Sequence, residues 1–192
     1  MAGAGREKLI VGLSGSSAPQ YGIRLLLALR DLGSHEVHLV CSRGAERTIE
    51  LEAGLDVRQV EQLADVVHRP DDLSASIASG SFVTAGMAVC PCSMRTLAAV
   101  AHGISDSLLV RAADVCLKER RRVVLVPRET PLNLIHLRNM VAVSEAGAVV
   151  LPPVPAFYHH PRTIDDIVDH TVGKVLDQLG VEHHLFQRWS GS

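Results

Sequence analysis

Aromatic residues are scarce in this chain, which has one Trp, two Tyr and three Phe among its 192 residues. A site that stacks a planar ligand on aromatic rings therefore has few candidate side chains. Long apolar runs are also lacking, since no run reaches the roughly 18 residues that a membrane-spanning helix needs. The run Leu9–Leu13 is too short for the apolar region of a signal peptide, so we expect a cytoplasmic protein.

The sequence has no excess of one charge sign, because 19 Lys and Arg residues are balanced by 21 Asp and Glu residues. Nucleic acids and anionic membranes attract proteins that are rich in Lys and Arg, so we expect neither as a partner. The mean hydropathy of +0.19 is high for a soluble chain. This value suggests that sister subunits cover part of the surface.

The four cysteines, Cys41, Cys90, Cys92 and Cys116, form no CxxC pair. Each lies in an apolar stretch, which predicts reduced, buried thiols of a reducing compartment. The Cys90–Cys92 pair lacks the second pair of ligands that a structural zinc site needs, so we expect no metal site.

Short β-branched runs alternate with longer helical patterns along the chain. Strands are predicted over 9–13, 36–41, 87–90, 123–126 and 148–151, and helices over 18–32, 43–53, 94–101, 107–120, 134–146 and 163–179. Apolar strands separated by helices are typical of a parallel sheet covered on both faces. The sequence therefore predicts an α/β fold with one domain, a doubly wound parallel sheet in a flavodoxin-like or Rossmann-like three-layer sandwich.

The loops that follow the strands are candidates for the ligand site, because such sheets bind ligands beyond the carboxyl ends of their strands. The first loop, Gly12–Ser17, offers glycines and helix-start amides to an anion, although an ordinary tight turn with a hydroxyl cap remains an alternative. It matches neither GxGxxG nor the Walker pattern. The second strand ends in Ser42 and Arg43 instead of the carboxylate typical of NAD sites. Arg43 leaves room for the 2′-phosphate of another dinucleotide, and a mononucleotide fits as well or better.

Two later loops carry polar side chains at the same edge. Ser93 and Thr96 follow the third strand, either as helix caps or as ligand contacts. Arg128 and Glu129 follow the fourth strand, where a cation beside a carboxylate suits phosphate binding coupled to proton transfer. A structural ion pair between these two residues is the alternative.

Other polar residues allow both a structural and a functional interpretation. Arg111 and Lys118 share one helix face with Asp114, which is either a solvated face or part of a site. Tyr158 could donate to a phosphate or cap the core. We expect the adjacent histidine pairs to be exposed to solvent rather than to bind a metal; they are His159, His160, His183 and His184.

Several strings of this sequence resemble the UbiX-type flavin prenyltransferases. They are Gly12–Ser17 with Tyr21–Gly22, Pro91–Met94, Arg111–Glu119, Val126–Leu132 and Pro155–Tyr158. The strings PRETPL and RAADVxLKE are specific to that family, and the similarity extends from the first strand to Trp189. Arg188–Trp189 and the segment after Ser42 are most similar to the branch associated with non-oxidative hydroxyarylic acid decarboxylases.

The resemblance implies a metal-independent transferase that moves a dimethylallyl group from dimethylallyl phosphate to N5 and C6 of reduced FMN. The product, prenylated FMN, would serve a UbiD-type aromatic acid decarboxylase. The resemblance also implies a homo-dodecamer with sites at subunit boundaries. We divide the chain into a flexible N-terminal tail over 1–7, a flavin-binding α/β domain over 8–180, and a C-terminal arm over 181–192 that contributes to an oligomer interface and the active site.

The same resemblance implies three sets of site residues. FMN would be bound by Gly15, Ser16, Ser17, Ser42, Ser93, Met94, Arg95, Thr96, Arg111 and Arg128. The prenyl phosphate would be held by Lys118, Arg128, Tyr158 and Lys174. The catalytic residues would be Ser17, Glu52 and Glu129, which handle protons, Trp189, which faces the prenyl chain, and Lys118.

Three positions depart from the family pattern. Ser16 replaces the usual Ala, and Arg95 replaces a common Lys or small residue. Lys174 stands where many members have Arg; it keeps the charge but loses the bidentate fork, which leaves the choice between a monophosphate and a diphosphate donor open.

Two other functions stay as alternatives. One is a flavin-dependent decarboxylase of peptidyl or pantothenoyl cysteine, which carries an Asn-containing loop where this chain has Pro91–Met94 and needs a catalytic His, for which His68 is a loose candidate. The other is a non-catalytic, flavin-carrying subunit of a hydroxyarylic acid decarboxylase complex.

Overall fold

The computed structural model describes residues 5–189 and residue 191. The strands are β1 (Glu7–Leu13), β2 (His35–Cys41), β3 (Val66–His68), β4 (Gly86–Cys92), β5 (Arg122–Pro127) and β6 (Val149–Val150). The α-helices are α1 (Gln20–Leu32), α2 (Arg43–Thr48), α3 (Val57–Glu61), α4 (Met94–Ala101), α5 (Leu108–Lys118), α6 (Leu134–Glu145) and α7 (Ile164–Leu179). A π-helical turn (Ile49–Ala53) continues α2, and a 3₁₀ turn (Ser76–Ala78) precedes β4.

The six strands form one parallel sheet in the order β3-β2-β1-β4-β5-β6. This is the Rossmann order, and without the three-residue edge strand β3 it becomes the flavodoxin-like order 2-1-3-4-5. The chain leaves the centre of the sheet in opposite directions from β1 and β4. The predicted doubly wound parallel sheet is confirmed.

Both faces of the sheet are covered, because successive side chains of a strand point to opposite faces. Leu9, Val11 and Leu13 of β1 pack in one core cluster with α1 and α7, and they are fully buried. Ile10 belongs to a second cluster on the other face, formed with α4 and α5. The buried parts of the strands are therefore continuously apolar. The sheet is the middle of three layers, with helices packed on each of its faces.

Some predicted boundaries differ from the structure. The helix predicted over 43–53 is α2 followed by the π-helical turn, and β3 and α3 were not predicted. β1 begins at Glu7, inside the predicted tail, and Arg6 pairs with Asp65 at 2.6 Å. The rest of the tail prediction, for residues 1–4, lies outside the described residues.

The four cysteines are buried and free, as predicted. Burial raises the pKa of the Cys41 and Cys92 thiols to about 12, so both are protonated at neutral pH. Within residues 5–189 and 191, no cluster of three or more His, Cys, Asp or Glu side chains could hold a metal ion. Over the same residues, no helix has the length and apolar character needed to cross a membrane.

Gly22 allows α1 to pack directly against the central strands. A Cβ at this position would lie 2.2 Å from the carbonyl oxygen of Cys90 and 2.9 Å from Cγ of Leu13. We therefore expect Gly22→Ala to lower the free energy of unfolding by about 3 kcal/mol, because overpacking at rigid backbone forces the layers apart. Urea denaturation measures this loss.

Gly5→Ala is the control, because a Cβ on Gly5 would meet nothing within 4 Å. Equal denaturation midpoints for the two variants would contradict the close packing of α1 against β4.

Candidate active site

The loops after β1 and β4 are joined by the hydroxyl group of Ser14, which is 1% exposed. Ser14 Oγ donates to the carbonyl oxygen of Pro91 at 3.1 Å and accepts from the amide of Ser93 at 2.7 Å. The backbone amide of Ser14 also donates to the Pro91 carbonyl at 3.1 Å. These bonds fix the two loops at the point where the chain reverses its direction across the sheet, which is where such folds bind ligands.

The serines that follow β2 and β4 cap the helices that begin there. Ser42 Oγ accepts from the amide of Ala45 at 3.1 Å, and Ser93 Oγ accepts from the amide of Thr96 at 3.2 Å. Each hydroxyl therefore satisfies one of the amides that a helix start leaves without a partner. The structure thus supports the cap interpretation of Ser93 and shows that Ser42 has the same role. Both residues also lie at the cavity described next.

A cavity of about 530 Å³ opens between these loops and the start of α5; we call it the loop cavity. Its lining consists of Gly15, Ser42, Arg43, Gly44, Pro70, Asp71, Ser93, Arg95, Thr96, Ala99, Asp106, Ser107, Leu109 and Val110. The volume is within the range of small-molecule sites. Five of the ten residues predicted to bind FMN are in this lining: Gly15, Ser42, Ser93, Arg95 and Thr96.

The wall nearest β1 and β2 is formed by backbone. A Cβ on Gly15 would lie 2.8 Å from the Cα of Gly44, so the two glycines bring their main chains into direct contact. Arg95, on the opposite side of the cavity, pairs with Asp106 at 3.1 Å, and the Arg95 side chain is 84% exposed. The cavity therefore combines a close-packed backbone wall with an exposed cation.

The other five predicted FMN residues are outside the lining. Ser16 Oγ donates to the carbonyl oxygen of Arg128 at 2.9 Å, and Met94 is buried in the core cluster beneath α4. Arg111 donates to Asp114 at 2.8 Å and to the carbonyl oxygen of Ala78 at 3.2 Å.

The side chain of Arg128 has an unsatisfied donor. Its Nε is buried and has no hydrogen-bond partner among the described residues. Glu129 does not pair with it there; a carboxylate oxygen of Glu129 accepts from the amide of Thr130 at 3.1 Å instead. The structural ion pair between Arg128 and Glu129 is therefore not formed. A buried guanidinium donor without a partner suits an anionic ligand.

Ser17 and Glu52, two of the predicted proton-handling residues, are in contact. Ser17 Oγ donates to the Glu52 carboxylate at 2.9 Å, and the amide of Ala18 donates to the same oxygen at 2.8 Å. Glu52 lies in the π-helical turn, which carries its carboxylate to the loop after β1. The distance between Ser17 and Glu52 allows direct proton transfer.

Tyr158 and Trp189 lie outside the lining of the loop cavity, in an aromatic cluster formed with His159, His170 and Phe186. Tyr158 and Trp189 meet edge to face with ring centroids 6.2 Å apart. The hydroxyl of Tyr158 lies 2.8 Å from Nε2 of His170. Tyr158 is 46% exposed, and its ring packs edge to face on the buried His170.

Asp177 joins α7 to the C-terminal arm. It accepts hydrogen bonds from Arg188 at 2.6 Å, from His183 at 3.1 Å and from Lys174 at 3.4 Å. His183 is 5% exposed, so its predicted exposure is wrong. The same prediction is wrong for His159, whose two ring nitrogens are buried.

The structure gathers the flavin-binding set better than the phosphate-binding set. Tyr158 and Lys174 lie beside the C-terminal arm, and Lys118 pairs with Glu119 at the end of α5. Arg128 follows β5. Within the described part of the chain, none of these four residues lines the loop cavity.

Known proteins match this chain over nearly its whole length. A model of the Flavoprotein family matches residues 3–176. The flavin prenyltransferase UbiX of Salmonella typhimurium is 54% identical over 188 residues, which cover 97% of this chain and 100% of the relative. The chain belongs to the UbiX family of flavin prenyltransferases. The resemblance stated from the sequence is confirmed.

Solved structures of UbiX proteins agree with this assignment. A crystal structure of AnUbiX (PadA1) in complex with FMN and dimethylallyl pyrophosphate has a TM-score of 0.95 and 50% identity, covering 97% of this chain and 99% of the other. A dodecameric FMN-dependent UbiX-like decarboxylase from Escherichia coli O157:H7 has a TM-score of 0.93 and 55% identity, covering 96% and 100%.

Sequence reasoning missed three polar residues of this UbiX chain: Ser14, His170 and Asp177. His170 and Lys174 are four residues apart on α7 and so share a helix face, which was the available signal for His170. Lys174 also lies three residues before Asp177 on α7, which was a comparable signal for Asp177. Ser14 gave no such signal, because its partners are distant in the sequence.

The carboxylate of Asp177 gives the C-terminal arm a pH dependence. Partial burial by itself raises the pKa of Asp177, but the hydrogen bonds donated by Arg188 and His183 outweigh it and lower the pKa below its usual 3.8. A lowered folded-state pKa means that the stabilisation is present above the unfolded value and is lost as the pH falls through the folded value. We expect the arm to detach below pH 3.8.

Fluorescence anisotropy of Trp189, the single Trp, measures this detachment. Asp177→Asn should lower the anisotropy already at pH 7, and Asp31→Asn, at an exposed position of α1, should not. An Asp177→Asn variant with wild-type anisotropy at pH 7 would show that Asp177 does not hold the arm.

Proposed function

We propose that this protein is a flavin prenyltransferase that transfers the dimethylallyl group of dimethylallyl phosphate to N5 and C6 of reduced FMN. The observation that carries the proposal is the match, with a TM-score of 0.95 and 50% identity, to a structure that holds both FMN and dimethylallyl pyrophosphate. It is supported by the 54% identity to a UbiX enzyme over 97% of the chain.

The residues around the loop cavity fit FMN as the prenyl acceptor. The cavity of about 530 Å³ is lined by hydroxyls and by two glycines whose backbones touch, which leaves room for a phosphate close to the main chain. Arg128 Nε is a buried donor without a partner among the described residues. When bound, reduced FMN supplies the nucleophilic N5 and C6 positions.

Lys118, Arg128, Lys174 and the hydroxyl of Tyr158 would hold the phosphate of the donor. Fixed cations and a phenol stabilise the negative charge that develops as the phosphate leaves, and they need no rearrangement during the reaction. No metal ion is required in this scheme, because three cationic side chains take the role of the counter-ion.

A second copy of the chain would complete the site, because the phosphate-binding residues lie apart from the loop cavity within one chain. We propose a homo-oligomer, a dodecamer, in which the C-terminal arm reaches a neighbouring cavity. Large apolar side chains near the arm support this, since Phe157 and Trp189 are each 68% exposed and Ile164 is 79% exposed. The UbiX-like relative from Escherichia coli O157:H7 is dodecameric.

The neighbouring copy would also exclude water from the reacting dimethylallyl group. An allylic cation is captured by water, so the site must be dry while positive charge develops. The indole of Trp189 can stabilise such charge through its π face, an interaction of roughly 2 kcal/mol when desolvated. A neighbouring copy that covers the exposed Trp189 would both exclude water and strengthen the interaction of the indole with the developing positive charge.

Two carboxylates can accept protons during the reaction. The carboxylate of Glu52 can take a proton from Ser17 Oγ, 2.9 Å away. The carboxylate of Glu129, at the carboxyl end of β5, can accept the proton that must leave C6 when the last ring closes. Glu129 is exposed and forms no ion pair with Arg128, so its side chain is accessible to a ligand.

We further propose that the product serves a UbiD-type aromatic acid decarboxylase and that the enzyme is cytoplasmic. The branch of the family indicated by Arg188–Trp189 supports the first proposal. The second is supported by four buried, free thiols, which are typical of a reducing compartment.

Product formation tests the proposed activity. Purified protein given reduced FMN and dimethylallyl monophosphate should release a flavin whose mass has increased by one C5H8 unit, over many turnovers. The same assay with the diphosphate determines the donor preference. An unchanged flavin mass with both donors would overturn the proposal, and an unchanged mass together with stoichiometric co-purification with a large partner would favour the non-catalytic flavin carrier.

Glu129→Gln tests the proton-transfer step. The amide cannot accept the proton, so the single-turnover rate should fall by about 100-fold, a typical contribution of a general base. Glu145→Gln, at an exposed position at the end of α6, is the control and should keep the wild-type rate. A wild-type trace for Glu129→Gln would remove Glu129 from the mechanism.

A further inference from the structure

His170 is the one hydrogen-bond partner that the described residues give to the hydroxyl of Tyr158, with 2.8 Å between Oη and Nε2. The two residues differ in exposure, because Tyr158 is 46% exposed and His170 is 7% exposed. His170 therefore cannot reach a ligand from its position on α7, whereas the phenol can. Any influence of His170 on a ligand must pass through Tyr158.

The proton between the two groups can belong to either of them. A neutral imidazole has one donor nitrogen and one acceptor nitrogen. If the phenol of Tyr158 donates to Nε2, its only proton is used, and its oxygen presents lone pairs to an approaching anion. If Nε2–H of His170 donates to Oη, the phenol keeps its own proton for a phosphate oxygen. Phosphate binding is compatible with the second arrangement.

We propose that His170 is a positioning residue for the prenyl donor: it donates its Nε2–H to Tyr158, so that the phenol proton of Tyr158 points to the leaving phosphate. This inference rests on the proposed function and adds a residue that acts through Tyr158. It assigns to α7 a polar pair one turn apart, with His170 orienting the phenol and Lys174 supplying charge.

The ring of His170 is held in place by its neighbours. The ring of His159 stacks on it with centroids 4.6 Å apart and an angle of 8° between the planes, and Phe186 packs at 4.8 Å. Burial, together with the charges of His159 and Lys174, lowers the pKa of His170, while Asp177 opposes this weakly. The ring is thus neutral at pH 7, and its tautomer can adapt when phosphate binds.

The direct test measures binding of dimethylallyl monophosphate by calorimetry to protein loaded with oxidised FMN, in which no transfer occurs. His170→Phe keeps an aromatic ring but removes the donor, so we expect the dissociation constant to rise about tenfold, the usual loss for one hydrogen bond to a charged group. Tyr158→Phe should show the same rise. The double variant should be no weaker than either single variant, because both changes remove one interaction.

Two amide variants form a matched pair that separates the hydrogen bond from packing. The amide nitrogen of Gln can occupy the position of Nε2, so His170→Gln should bind the donor within about twofold of wild type. The amide of Asn corresponds to Nδ1 and is too short to reach Tyr158, so His170→Asn should lose about tenfold. If His170→Phe does not fold, the comparison of His170→Gln with His170→Asn still tests whether His170 donates a hydrogen bond to Tyr158.

The possible results separate this inference from the proposed function. Wild-type affinity in His170→Phe or His170→Asn, or single losses that multiply to about a hundredfold in the double variant, would overturn the role of His170 alone. Donor binding without a flavin mass gain would overturn the proposed function alone. A wild-type protein that does not bind the donor would overturn both.

Discussion

The parallel direction of all six strands is the constraint on which the site depends. It brings the carboxyl ends of β1, β2, β3 and β4 to one edge, so that four loops distant in sequence line one cavity. Ser14 then fixes the two central loops to each other through bonds on both sides of its hydroxyl. Because the two loops are fixed in this way, the cavity beside small residues such as Gly15 can accept a ligand without a rearrangement of the backbone.

Much of the fold was predictable, because strands buried on both faces must be apolar throughout. β1 illustrates this, since Leu9 to Leu13 carry alternate side chains into two different cores. The short edge strand β3 was missed because three residues, Val66–His68, give too little pattern to distinguish from a loop. The π-helical turn after α2 was missed for another reason. Its backbone hydrogen bonds span one residue more than those of an α-helix, but it requires no particular residue types, so the sequence pattern does not show it. This turn nevertheless places Glu52 in contact with Ser17.

The candidate site was predictable in its backbone part and less so in its charged part. Hydroxyl and glycine residues directly after strands have positions that the topology dictates, and Ser42 and Ser93 lie where expected. Tyr158 and Lys174 depend on how the C-terminal arm folds back on α7, which is controlled by Asp177 and by the burial of His183. Such contacts between distant polar residues have no periodic signature, so the exposure of His183 was predicted wrongly.

The contact between Gly15 and Gly44 has a consequence for redesign of the proposed acceptor site. Because this wall consists of main chain against main chain, no side-chain substitution there can enlarge the cavity, and any added atom narrows it. The opposite wall is built from side chains of α4 and α5, including Ala99, Leu109 and Val110. To admit bulkier isoalloxazine analogues, the side chains of these two helices must therefore be replaced by smaller ones, because the position of the glycine wall is fixed by its backbone contact.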